Sequence, residues 1–323
     1  MSTDGLLDRA RRAVRRAWAF RRPPHAFVLT GDRLVHVALP EEGRGGRPSA
    51  APRVSSRELP AGTFREGPAG VPVAGPGLAP VIGSLLPAKE RVAAASLAVP
   101  DGFVKSAVVD VEPGVARSAR ELSEVLRWKA GRLYPEPVPP LRVSWCEAGA
   151  SADGGPRFLV LASPEESVAS LEAAFSAHGV RVGVIEPASL ALSAVASEVL
   201  GGSGFVVFTD GANVSTVFLD GGGVRFLRTR ENASDPEQAL QEIRLAASFV
   251  GGDAGGDAGL DVSGAAVVVP ESAPVSARFR EFRSESGGRE PASLLPALVA
   301  RGVGARGEDP ALLVGLGLLR GAE

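Results

Sequence analysis
The residues best suited to chemistry in this 323-residue chain form one short run, Thr209-Asp210-Gly211-Ala212-Asn213-Val214-Ser215-Thr216, set between apolar segments. A carboxylate followed by glycine and hydroxyls beside a β-strand is a composition that wraps phosphate. Backbone N–H groups reach the anion where no side chain intervenes, and the carboxylate holds Mg²⁺ through water. The same letters also make a tight turn, because Gly211 and Asn213 accept backbone conformations that other residues resist. Other candidates offer less. Asp253, Asp257 and Asp261 recur in "GGDAGGDAGLDVSG", a spacing that matches neither an EF-hand loop nor a Ca²⁺-binding nonapeptide and reads as a solvated linker. His25, His36 and His178 have no spacing that joins them to carboxylates or to Cys146 as a metal set, so no metal is expected. Cys146, the single cysteine, lies in the strand-like "LRVSWCEA", which predicts a small buried hydrophobe and excludes a disulfide. No Gly-x-Ser-x-Gly elbow occurs, so a hydrolase triad has nothing to build on.

The elements that position these residues are α/β in character. Apolar residues make up 45% and charged residues 22%, enough for two ordinary cores. No apolar run approaches the ~18 residues of a membrane span, and the N-terminus lacks the apolar region of a signal peptide, so a cytoplasmic body is expected. The net charge of −2 hides an asymmetry: residues 1 to 22 carry +5 and the remainder −7. That distribution argues against nucleic-acid binding over the fold.

Residues 5 to 20 form an amphipathic helical pattern, with Arg9, Arg12 and Arg16 on the polar face and Trp18 near the end, stopped by Pro23 and Pro24. Such a helix suits an anionic membrane surface. A flexible arginine tail and a helix docked on another protein are the open alternatives. "HAFVLTGDRLVHVALP" predicts two strands around a turn at Thr30 to Arg33, and residues 41 to 80 read as surface loops with one strand near "RVSSREL". Strands follow at "RVAAASLAVP" and "KSAVVDVE", then a helix between Pro113 and Tyr134 and the strands "LRVSWCEA" and "RFLVLAS". The helix "SPEESVASLEAAFSAHG" starts at a Ser163 cap and ends at Gly179, ahead of the strand "VRVGVIE" and the helix "PASLALSAVASEVLGG". "FVVFTDGANVSTVFLDGGGVRFLRT" predicts two strands joined at Asp220 to Gly223, with the polar loop inside the first arm. The order of strands and helices occurs, loosely, twice, which suggests a duplicated α/β fold.

Four segments together resemble the PilM family, the actin-like cytoplasmic proteins of type IV pilus and related type II secretion platforms. They are "ELSEVLRWKAGRLYPEP", "RFLVLASPEESVASLEAAFSAHGVRVGVIEPASLAL", "VVFTDGANVSTVFLDGGGVRFLRT" and "LLVGLGLLRG", and the likeness covers roughly residues 90 to 320. It implies a two-lobed actin-like (duplicated ribonuclease H-like) fold. The first lobe would span residues 25–200 with an inserted subdomain at about 100–150, and the second 201–323, behind the basic helix of 1–24. It also implies that a region near the insert binds the N-terminal tail of a PilN-like membrane protein. Trp128 lies off the apolar stripe of Leu122, Leu126, Ala130 and Leu133 and is followed by Tyr134 and the "PEPVPP" wall, so Trp128 and Tyr134 are the expected partner-binding pair.

The resemblance also makes departures visible. The family's second phosphate loop runs Asp-x-Gly to a Thr; here Gly211 and Thr216 match, which leaves Thr209 in the Asp position and Asp210 one place late. A one-residue offset in a strand turns a side chain to the opposite face. The first loop is a short "TGDR", and "AAVVVP" runs into Glu271 and Ser272 where the adenine-side glycines belong. Gly211, Ser215 and Thr216 therefore read as a relic phosphate loop. The expected protein is a non-enzymatic scaffold, peripheral to the inner membrane, with no cofactor. The competing reading is an ATP-binding switch or ATPase of the same superfold, using Mg²⁺ and ATP around Asp32 or Asp210.

Overall fold
The run Ala26-Phe27-Val28-Leu29 is apolar at every position, as a strand covered on both faces must be. The computed structural model describes residues 22–38, 52–88, 91–112, 114–115, 118–150, 155–201, 204–210, 213–221, 223–231, 238, 241–242, 244–246, 248, 267–268 and 310–320. The basic helix with Arg9, Arg12, Arg16 and Trp18, Gly211, the Asp253 to Asp261 segment, and Glu271 and Ser272 lie outside the described residues.

In the first lobe, β1 (His25–Leu29), β2 (Arg33–Ala38), β3 (Arg53–Glu58), β6 (Ala94–Val99) and β10 (Arg181–Pro187) form a five-stranded sheet in the order β10-β6-β1-β2-β3. β1, β6 and β10 run parallel, and β1, β2 and β3 antiparallel. Alternation sends Phe27, Leu29 and Leu34 to one face, while Ala26, Val28, Val35 and Val37 meet the opposite core. His25 and His36 also share the first face as diagonal neighbours across the hairpin. They are buried, with Nδ1 of one 3.1 Å from Nε2 of the other, and His36 stacks on Phe27 at 4.5 Å. Helix α1 (Leu78–Leu85) begins at the end of the stretch expected as surface loops, residues 41 to 80, and runs on into residues for which no element was expected. Its Leu78, Val81, Ile82 and Leu85 are buried at helical spacing, with Gly77 and Leu86 bounding so short a segment that no long periodicity announces it. The short strands β4 (Phe64–Arg65) and β5 (Val73–Ala74) pair beside it.

An insert of β7 (Lys105–Asp110), α2 (Ala119–Gly131), β8 (Leu141–Ala150) and β9 (Pro156–Pro164) forms its own antiparallel sheet, ordered β7-β9-β8. β9, the middle strand of that sheet, extends to Pro164. Ser118 caps α2 by accepting from the Glu121 N–H at 3.2 Å, and Leu126 and Ala130 are fully buried on its inner stripe. β9 continues directly into α3 (Glu165–Ser176), whose N-cap is Pro164 without a side-chain cap. Ser163, predicted as that cap, is instead buried and donates to the Phe103 carbonyl at 2.8 Å. Cys146 is exposed on β8, the edge strand, which corrects its predicted burial: strand membership does not say which face is covered.

Beyond α4 (Ala188–Val199), the strands β11 (Gly204–Thr209), β12 (Asn213–Asp220) and β13 (Gly223–Glu231) form an antiparallel meander, with β14 (Val267–Val268) parallel to β11. The polar run is thus not a loop inside one arm. The chain reverses between Thr209 and Asn213, and Asn213 to Thr216 already belong to β12. Helix α5 (Pro310–Arg320) returns to the first lobe, where it and α4 share one core with Val28 and Val37 of the first sheet and Val206 and Val217 of the second.

Two glycines set how close α5 comes. A Cβ on Gly315 would stand 2.6 Å from Val37 Cγ2, and one on Gly317 would stand 1.7 Å from the Ala191 carbonyl oxygen. The helix is held from the other side by Arg22. Its two terminal nitrogens donate to both Glu186 oxygens at 2.8 and 3.0 Å, and one also reaches the Leu318 carbonyl at 3.4 Å.

A methyl group on Gly317 must push two helices apart. Gly317→Ala is expected to cost at least about 2 kcal/mol, read as a lower urea midpoint with unchanged slope. Gly31→Ala, where a Cβ meets nothing within 4 Å, serves as the near-neutral control. Equal midpoints for the two variants would contradict the close helix approach.

Candidate functional site
The two turns singled out for phosphate chemistry do meet, at a cleft of about 160 Å³ between the lobes, lined by Thr30, Asp32, Arg33, Thr209 and Asp210 among others. A second hollow of about 370 Å³ adjoins it at Pro100 and Asp210, lined also by Gly31, Lys105, Asn213 and Glu231, so the interlobe space as a whole has the roughly 300–1,000 Å³ of ordinary small-molecule sites. The polar groups at its mouth are engaged with one another. Thr30 N–H donates to the Arg33 carbonyl at 2.9 Å, the Thr30 hydroxyl to Asp32 at 2.8 Å, and the Arg33 N–H to the Thr30 hydroxyl oxygen at 3.2 Å. Asp210 accepts from the Asn213 N–H at 2.7 Å and from its side-chain amide at 3.0 Å, while its own N–H donates to the Asn213 carbonyl at 3.3 Å. The carboxylates that would hold a cation, Asp32 and Asp210, thus each accept hydrogen bonds within their own turn.

The relic-loop hydroxyls part company. Ser215 pairs with Phe208 and Thr216 with Val207 across β12 and β11, so their side chains point to opposite faces. Ser215 shares a 2.8 Å hydrogen bond with Thr229, and the Thr216 hydroxyl is buried with no hydrogen-bond partner. Among the described residues no three His, Cys, Asp or Glu side chains gather as metal ligands.

A residue that sequence reasoning missed sits deepest at this junction. Asp101 follows β6 in "AVPDGF", at a position for which the sequence predicts no element, and it is only 1% exposed. Its Oδ1 accepts from the Ser189 N–H in the first turn of α4 at 3.1 Å, and Oδ2 makes no hydrogen bond of good geometry. Burial pushes the carboxyl up to about 6 from an ordinary 3.8, against hydrogen bonding from Ser215 and Ser189, and the charge of Asp210 adds to the rise.

A further site with a mainly apolar lining lies away from the two turns. A groove of about 330 Å³ opens between the insert and the first lobe, walled by β8, β9, α3 and β10 and floored by Val99 and Phe103. β8 and β10 are the edge strands of their sheets, so each turns a row of backbone groups outward. The pairing of β10 with β6 is irregular between Val182 and Val184, and a Cβ on the intervening Gly183 would meet nothing within 4 Å. At the groove rim Arg142 of β8 donates to Glu165 at 2.8 Å and to Glu172 at 3.0 Å, both on α3, which ties the insert to the first lobe.

Trp128 and Tyr134, the predicted partner-binding pair, are not in this groove. Arg142, Ser144, Leu161 and Ser163 face the groove, whereas α2 covers the other face of the same sheet, with Val143, Trp145, Phe158 and Val160. Trp128 is 61% exposed on the far side of α2. Tyr134 is a core residue whose hydroxyl donates to the Ala162 carbonyl at 2.7 Å.

No family model and no curated protein matches the chain. Among solved structures it is similar to a PilM–PilN type IV pilus biogenesis complex, with TM-score 0.63 and 17% identity over 92% of this chain and 98% of that one. A protein of unknown function with an actin-like ATPase fold from Bacteroides thetaiotaomicron superposes with TM-score 0.50 and 7% identity, covering 91% and 96% of the two chains. These likenesses show the fold: it is two-lobed and actin-like.

The buried carboxyl makes stability depend on pH. Folding raises the affinity of Asp101 for its proton, so its cost is absent below about pH 4 and grows as pH rises through 6, towards about 3 kcal/mol. Asp101→Asn keeps an acceptor for the Ser189 N–H and removes the charge. It should match the parent at pH 4 and exceed it in denaturant midpoint at pH 7.5; a difference that does not change with pH would contradict this assignment.

Proposed function
We propose that this chain is a non-catalytic scaffold of a type IV pilus or related secretion platform, and that it holds the N-terminal tail of a PilN-like membrane protein in the groove between insert and first lobe. The observation that carries the proposal is the contrast between the two sites. In the interlobe cleft the polar side chains of the two turns bond within each turn, while the groove has an apolar floor flanked by two strand edges. An extended apolar tail can pair its backbone with β10 and bury alternate side chains against Val168, Leu171 and Phe103. The PilM–PilN complex among the similar folds supports the choice of partner. In this reading residues 25–200 form the first lobe and residues from 201 the second, on the cytoplasmic face of the inner membrane.

A synthetic peptide of the partner's tail, at a hundred times its Kd, should stabilise the full chain by about 2.7 kcal/mol, visible as a raised melting midpoint. Mg·ATP should leave that midpoint unchanged. Gly183→Trp, which fills the groove, should weaken the peptide at least tenfold, and Trp128→Ala should not. A midpoint raised by Mg·ATP would favour the ATP-switch reading, and a peptide insensitive to Gly183→Trp would place the tail elsewhere.

A further inference from the structure
The C-terminal half of α2 presents a surface that neither the groove nor the cleft uses. Arg127, Trp128 and Arg132 are exposed there, with Lys129 beside them. Val138, 38% exposed, sits over the same turn, where a Cβ on Gly131 would touch it at 3.9 Å. The Arg132 guanidinium lies 5.2 Å from the Trp128 ring centroid, held by the ring's negative face. Among the described residues Arg127, Lys129 and Arg132 form no salt bridge. Some arginines elsewhere have carboxylate partners, as Arg22 has Glu186 and Arg157 has Asp110. On the same helix Arg120 pairs with Glu124 at 3.0 Å, so the acidic residues lie at its N-terminal half and the unpaired cations at the other end.

We propose that this end of α2 is a peripheral contact for an anionic lipid surface, with Trp128 and Val138 entering the headgroup layer and Arg127, Lys129 and Arg132 meeting lipid phosphates. The charge pattern selects the partner class. Three unpaired cations around one exposed indole, on a convex helix surface, suit a headgroup layer that needs no complementary shape and favours aromatic rings at its boundary. Because α2 and the groove occupy opposite faces of the insert sheet, the lipid contact leaves the groove free.

The test is co-sedimentation of the full chain with phosphatidylcholine vesicles containing about a third phosphatidylglycerol, against pure phosphatidylcholine. Each cation near such a surface contributes about fivefold at low salt. Trp128→Ala/Arg127→Gln/Arg132→Gln should therefore lower partitioning at least tenfold and leave the melting midpoint in place, since all three side chains are exposed. Arg9→Gln/Arg12→Gln/Arg16→Gln separates the basic N-terminal segment and should retain partitioning above that of the α2 variant. Unchanged partitioning of the α2 variant, complete loss with the N-terminal variant alone, or equal binding to soluble poly-glutamate would each overturn the proposal.

Discussion
The close approach of α5 to α4, with Gly317 laid against the Ala191 carbonyl, is the constraint on which the rest of the arrangement depends. It lets two helices occupy the space between the two sheets as one layer, and the residues of both sheets then bury against a common core. The position of α4 follows from this, and with it the position of its first turn, which receives the Asp101 carboxylate. β10 leads into α4 without a loop, so the same contact also fixes the edge strand that forms one wall of the groove. Arg22 reinforces the junction by bridging Glu186 at the end of β10 and Leu318 of α5.

Within this frame the cleft and the groove differ in where their hydrogen bonds go. At the cleft Thr30 bonds to Asp32 and Arg33, and Asp210 bonds to Asn213, so a ligand that takes these groups would have to break bonds of about 1 kcal/mol each before making its own. At the groove the outward edges of β8 and β10 offer backbone groups to an incoming strand, and the apolar floor rewards burial at roughly 25 cal/mol per Å².

Much of this architecture was legible in the sequence wherever a strong period coincided with clear punctuation. "HAFVLTGDRLVHVALP" announced β1 and β2 through its apolar runs and Gly-Asp turn, and "VRVGVIEPASLALSAV" announced β10 and α4 through a change of period at Pro187. Features that depend on what lies across from a residue were not legible. The meeting of His25 with His36 needs the hairpin register, the burial of Asp101 needs β12 to arrive from more than a hundred residues away, and Cys146 is exposed because β8 is an edge. Trp128 was correctly seen to leave the apolar stripe, but the wheel could not say that α2 and the groove lie on opposite sides of the sheet, or that Tyr134 turns inward.

Whether a partner is held in the groove and not in the interlobe cleft is tested most directly by hydrogen–deuterium exchange on the full chain. The partner's tail peptide should slow exchange at residues 181–185 of β10 and 141–145 of β8, and Mg·ATP should leave residues 30–33 and 208–210 unchanged. Protection of those two turns by Mg·ATP, with no change along β10 when the peptide is present, would contradict binding in the groove.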